Sequence, residues 1–315
     1  MTVRRYRQIA VVTLVGLAFL TVAGVVVRLT GSGLGCADWP GCSEQRFIDV
    51  SSTHTAIEQA NRLLSGLIGL PTLALLVLGL RATRRGDGLR WPAVGTFLLV
   101  IANGLVGRFV VTEDLHPAVV QSHFLLAMVA LLFATVAAVR AREFLSTGET
   151  VPIRRPTDSA QMLTVALGGL TFAALATGTV VTGSGPHAGD ENAIRYGFDI
   201  STVAEIHSVT VIVTVLVGVA LAVLASRRHD HARQNDLSGW LFVALLQGVV
   251  GYAQYFTGVP ELLVATHVAG ATALWIMTVR LVLRSSTADS EVMAAAGDGS
   301  TGGERGVSSP SAAAV

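Results

Sequence analysis

The segments NGLVGRFVVTEDLHPAVVQSH, residues 103–123, and QGVVGYAQYFTGVPELLVATH, residues 247–267, are one unit written twice. Each opens on an amide followed by glycine and keeps a second glycine three residues later. Each then crosses a polar or proline-containing break and resumes as an apolar run carrying a histidine about two turns in. Histidines at the same depth in two copies of a unit point to two related ligand sites. The second half of each segment is also the start of a long apolar stretch, and such stretches dominate the chain.

Of the 315 residues, 51% are hydrophobic and 14% charged, with mean hydropathy +0.61. That is more apolar surface than one soluble core can bury, so the chain reads as a polytopic membrane protein. Runs close to the ~20 residues that span a bilayer fall at 9–29, 57–80, 91–111, 118–140, 161–182, 203–225, 237–257 and 261–284. The predicted fold class is therefore all-α integral membrane, with eight transmembrane helices and both termini on one side.

Every basic side chain is arginine, and the arginines sort by loop. Arg4, Arg5 and Arg7 precede the first span, and Arg81, Arg84, Arg85 and Arg90 follow the second. Arg140, Arg142, Arg154 and Arg155 follow the fourth, Arg227, Arg228 and Arg233 the sixth, and Arg280 and Arg284 close the eighth. The opposite loops hold only Arg46 and Arg195 among eight acidic residues. The positive-inside rule then places both termini in the cytoplasm, and nothing in the charge pattern suggests nucleic acid. A basic start followed by an apolar run resembles a signal peptide, but its length and the lack of a small-residue cleavage site predict a retained helix. Residues from 286 to 315 lack periodicity and read as a disordered cytoplasmic tail.

The repeat reaches beyond the two opening segments. VVRLTGSG, ending at Gly33, recurs as TVVTGSG, ending at Gly185, and the following helix carries Asn61 in one half and His207 in the other. Two pseudo-symmetric four-helix bundles result, at 1–145 and 157–285, joined by a cytoplasmic linker at 146–156. Because each unit crosses the membrane an even number of times, the duplication is parallel.

Ionisable groups inside spans are costly and mark candidate sites. They are Arg28, Glu58, Arg62, Arg108, His123, Glu205, His207 and His267, with Asn61 beside them. Positions 58–62, 123, 205–207 and 267 fall within about two turns of the outer helix ends, at 1.5 Å per residue, and form one layer. His207 and His267, on the second and fourth helices of a unit, can ligate one haem iron from opposite faces. His123 has Asn61 at the corresponding position, and a carboxamide is a poor ligand for haem iron. Glu58 either exchanges protons beside an open haem face or forms an ion pair with Arg62 or Arg28, and Arg28 is also placed to bind a haem propionate. His54 and His116, in outer loops, remain candidates for a missing ligand. Cys36 and Cys42, in CADWPGC on the predicted outer side, are expected to form a disulfide.

RLTGSGLGCADWPGC, the IEQANR stretch, NGLVGR followed by His116-Pro117 and His123, and the 247–267 segment together resemble the haem A synthase family. The resemblance runs from about Arg28 to His267. It implies an eight-helix enzyme that oxidises a methyl group of haem O to a formyl group. It implies haem b held by His207 and His267 in the second half, and haem O as substrate in the first. His123 and Glu58 serve the substrate site, with Arg28 and Arg62 beside it and Asn61 as its catalytic amide. It further implies haem O synthase as a partner in the same membrane, an unidentified redox partner and a possible homo-oligomer. The family pattern has histidine where Glu58-Gln-Ala-Asn61-Arg62 has asparagine, so the first-half iron is expected to be five-coordinate through His123. Two rival readings are a non-catalytic bis-haem electron carrier like cytochrome b and a transporter built from parallel repeats.

Overall fold

The computed structural model describes residues 3–81, 88–150, 156 and 158–298, with side chains described as far as Arg284. Eight helices carry the chain: α1 Val3–Leu29, α2 Thr53–Arg81, α3 Arg90–Thr112, α4 Pro117–Thr147, α5 Ser159–Ser184, α6 Ile200–Arg227, α7 His231–Phe256 and α8 Glu261–Asp298. All eight are long and apolar enough to cross a membrane, and there is no strand among the described residues. This is the expected membrane architecture, for in hydrocarbon a helix satisfies its own backbone.

Several helices start ahead of their apolar runs because a polar residue caps them. Asp158 accepts a bond from the Gln161 N–H at 2.8 Å, Asp199 from Thr202 at 2.9 Å and Asp230 from Arg233 at 3.0 Å. Each satisfies a donor that the first helical turn leaves unpaired. The Gln161 N–H holds the Asp158 carboxyl below the usual carboxylate range, and the Ser201 hydroxyl, more than the Thr202 groups, does the same for Asp199. These caps therefore contribute above the unfolded carboxylate pKa, and their contribution is lost as pH falls through the lowered folded value.

The helix contacts repeat under exchange of the two halves. The pairs α1/α2, α2/α3, α3/α4 and α1/α4 match α5/α6, α6/α7, α7/α8 and α5/α8. Between the halves, α1/α8 matches α4/α5, and α4/α8 lies on the pseudo-twofold axis. Each half is thus a ring of four helices whose diagonal pairs, α2 with α4 and α6 with α8, stand further apart than neighbours and share core clusters only through side chains.

The core follows from this symmetry. Leu17, Ile68, Met128, Leu131, Leu175 and Trp275 form the central cluster, drawn from α1, α2, α4, α5 and α8. Trp275 ties the halves together, its Nε1 donating to the Met128 carbonyl at 2.8 Å while the ring lies 5.6 Å from that of Phe172. One further cluster, around Tyr6, Leu75 and Ala93, serves the first half, and another, around Leu167, Trp240 and Leu281, serves the second.

The loop between α5 and α6 reaches over the first half. The Gly33 N–H donates to the Gly189 carbonyl at 2.9 Å, and Leu115, Ala188 and Ala193 cluster there with Leu34, Val110 and Val120. Tyr196 donates to Gln121 Oε1 at 2.5 Å, and Gln121 donates onward to the Ala176 carbonyl at 3.2 Å.

Two boundaries differ from expectation. α4 continues to Thr147, so the linker begins later, and the tail expected from residue 286 is helical as far as Asp298. Residues 299–315, 151–155 and 82–87, with Arg84, Arg85, Arg154 and Arg155, lie outside the described residues.

Trp275 is 4% exposed, so Trp275→Ala should lower stability by about 3–5 kcal/mol in thermal unfolding of the detergent-solubilised protein. Phe19, which is 62% exposed, should tolerate the same change within about 0.5 kcal/mol. Equal effects would remove Trp275 from its role at the seam.

Candidate functional site

Three histidines occupy one layer, six or seven residues past the first residue of their helices: His123 in α4, His207 in α6 and His267 in α8. Each ring packs on a glycine of the preceding helix. A Cβ at Gly107 would stand 3.2 Å from His123 Cε1, one at Gly178 3.1 Å from His207 Cε1, and one at Gly251 3.2 Å from His267 Cε1. The missing side chain lets the imidazole edge reach the backbone carbonyl four residues earlier. His123 faces that of Asn103, His207 that of Ala174 and His267 that of Gln247.

Those contacts select a tautomer. The Thr177 hydroxyl donates within its own helix, to the Ala173 and Ala174 carbonyls at 3.0 and 3.1 Å, so at 3.1 Å from His207 Nδ1 it accepts. His207 therefore carries its proton on Nδ1. Nδ1 of His123 and of His267 falls short of full hydrogen-bond geometry to any partner, and the carbonyl facing each ring also calls for an Nδ1 proton. With the Nδ1 proton turned to that carbonyl, Nε2 of each residue would keep its lone pair. This is the arrangement of metal-ligating histidines, whose second nitrogen donates to a fixed acceptor.

His207 and His267 are near enough to interact electrostatically across the ring. Among the described residues, no three His, Cys, Asp or Glu gather as a metal site. Two imidazoles near enough to interact, carried by diagonal helices at one depth, suit an iron that brings its other four donors in a porphyrin. The residues present thus fit a haem.

In the first half the layer is incomplete. Asn61 stands eight residues into α2, with a buried Oδ1 that has no hydrogen-bond partner. His54 and His116 are exposed, and each stands seven residues before the layer position of its helix. Seven residues are about 10 Å of helix, so neither reaches the Asn61 level. His54 Nδ1 is instead bonded to Ser32 Oγ at 3.0 Å. Arg108 and Glu205 are exposed on their helices and stand apart from this group.

Glu58 and Arg62 have a different employment. One oxygen of Glu58 accepts the Cys36 N–H at 2.7 Å, and the other accepts Arg62 at 2.5 and 3.0 Å. Arg62 then donates to the carbonyls of Asp38 and Gly41 at 2.7 and 2.8 Å. The loop so fastened is closed by the Cys36–Cys42 disulfide, and both cysteines are buried. A carboxylate and a guanidinium from α2 thereby hold the outer loop against the end of the bundle.

A second pair of cations lies at the seam between the halves. Arg28 donates to the Thr182 carbonyl at 2.6 Å and keeps a buried Nε without a partner. Arg195 is near enough to repel it and donates to the Ala193 and Pro186 carbonyls. Among the described residues neither arginine pairs with a carboxylate, so the pair can receive an anion. Sequence reasoning missed Arg195, although it is one of only two arginines on its predicted side. It also missed Thr177 and the three glycines, of which Gly107 and Gly251 were visible in the repeat.

The family model for COX15-CtaA, cytochrome oxidase assembly protein, matches residues 7–279. Proteins named "Heme A synthase" from Geobacillus kaustophilus (strain HTA426) and Bacillus cereus (strain AH187) are each 31% identical over 134 residues. Those alignments cover 42% of this chain and 42% of each relative.

Breaking a buried ion pair costs about 3–5 kcal/mol, so Glu58→Ala should free the loop. The Cys36–Cys42 bond should then be reduced by a water-soluble phosphine more than about ten-fold faster, through easier local opening. Glu44→Ala, at an exposed loop position, should leave the rate unchanged. A rate unaffected by Glu58→Ala would mean that the loop is held by other contacts.

Proposed function

The chain belongs to the COX15-CtaA family of cytochrome oxidase assembly proteins, and on that premise we propose that it is a haem A synthase, an oxidoreductase converting a methyl group of haem O to a formyl group. The observation that carries this reading is the unequal pair of sites. The second half opposes two ligand-ready imidazoles, His207 and His267, whereas the first opposes His123 to an amide with an unsatisfied oxygen. An electron carrier with two equivalent haems has no use for that difference, but an enzyme with one resident group and one substrate does.

His207 and His267 would hold haem b, which would supply one-electron transfer there. His123 would hold the substrate haem O from one side. Asn61 leaves the other side open and offers Oδ1 there as an acceptor for water or another small hydroxylic ligand. Glu58 and Arg62 fix the disulfide loop one turn from Asn61, limiting the access of bulk solvent. Proton uptake by Glu58 Oε1 would first require Arg62 to release it. Arg28 and Arg195 are placed to meet the carboxylates of a haem. The arginine distribution supports a plasma-membrane protein with both termini cytoplasmic and the disulfide loop outside. Haem O synthase would supply substrate within the same bilayer.

Membranes from cells lacking the gene should accumulate haem O and lose haem A, read by extraction and chromatography. Unchanged haem A would favour the electron carrier. In the purified protein, His267→Ala should abolish the haem b absorbance while His123→Ala leaves it, and the reverse pattern would overturn the assignment of the two halves.

A further inference from the structure

The layer contains four helix pairs related by the internal symmetry, and three of them share one construction. A histidine on the even-numbered helix lies on a glycine of the helix before it: His123 on Gly107, His207 on Gly178 and His267 on Gly251. The fourth pair is α1 with α2. Aligning the TGSG sequences at 30–33 and 182–185 puts Val26 where the other half has Gly178, and Val25 where it has Thr177. Histidine is replaced by Asn61 in the same pair. Three features are thus lost together: the imidazole, the gap that admits it, and the hydroxyl that accepts its Nδ1 proton.

We infer that Gly107, Gly178 and Gly251, with Thr177, are positioning residues that form backbone seats for the axial imidazoles, and that in the α1/α2 pair the whole seat is dismantled rather than the ligand alone. The inference rests on the functional reading above and deepens it. A seat works by subtraction. Without a Cβ at the glycine, the imidazole edge enters the groove of the neighbouring helix and meets a carbonyl, which sets the ring plane and directs the Nε2 lone pair to the bundle interior. A valine there fills the groove and turns the ring away. The open face opposite His123 is consequently a property of two helices, and histidine at position 61 alone would not close it.

Two sets of variants test this by absorption and electron paramagnetic resonance of the purified full chain. Gly178→Val, which copies the first-half residue, should reduce the low-spin bis-imidazole haem b signal at least about ten-fold, the effect of 1.4 kcal/mol in axial binding. Thr177→Val should retain the haem but shift its low-spin signature, and Gly24→Ala, with nothing within 4 Å of the added atom, should change neither. In the first half, loading with haem O should leave Asn61→His mainly five-coordinate. The combination of Asn61→His with Val26→Gly and Val25→Thr should give a second low-spin six-coordinate signal.

If Gly178→Val and Thr177→Val both keep the wild-type spectrum, or if Asn61→His alone is fully six-coordinate, the seats are overturned while the enzyme assignment stands. Wild-type protein with no bis-imidazole haem would overturn both. A Gly178→Val chain that fails to fold leaves the decision to Thr177→Val and the first-half series.

Discussion

A polar group inside a bilayer must find its partner within the protein, and this constraint organises the molecule. Most hydroxyls in the spans solve it locally. Thr72, Thr96, Thr135, Thr164, Thr171 and Thr278, for example, each donate to the carbonyl four residues back in their own helix. Of these, Thr278 also accepts the Trp240 indole N–H at 2.7 Å and so links α7 to α8. The side chains that do not fold back on their own helix include Trp275, which ties α8 to α4 in the apolar core, and the imidazoles, amides, carboxylate and guanidiniums that share a layer at the end of the bundle carrying the disulfide loop.

Within the layer, strong and weak pairing divide the labour. Glu58 and Arg62 are saturated, with both carboxylate oxygens and most guanidinium donors engaged, which fits a role in holding a loop. Asn61 Oδ1, Asn103 Oδ1, Gln247 Oε1 and Arg28 Nε are buried without partners. Unmet groups of this kind are expensive to retain.

Much of the architecture could be read along the chain because its signals are local. Apolar runs marked the spans, arginines marked one side, and the repeat marked two halves whose helix contacts match pair by pair. The helix starts were less legible, since Asp158, Asp199 and Asp230 set them from outside the apolar runs. The site divides in the same way. Glu58 and Arg62 are four residues apart, so their ion pair was foreseeable, but the Cys36 N–H that completes it lies 22 residues away. No periodicity reports that distance, nor the approach of Arg195 to Arg28. The glycines at 107 and 251 were visible as letters, and their purpose emerged only when the facing helix was known.

The loop between α5 and α6, which is bonded to Gly33 and Gln121 of the other half, also bears on origin. Under the pseudo-twofold, α1/α8 and α4/α5 are the same contact made twice, and α4 meets α8 as it would meet a copy of itself. That is the geometry of an isologous homodimer whose subunits were later fused, with the end of α4 and the start of α5 already on one face. An ancestor of this kind would have had identical sites and two identical exchanged loops. Fusion released each copy from serving both purposes, and one half then became free to carry Asn61 where the other carries His207.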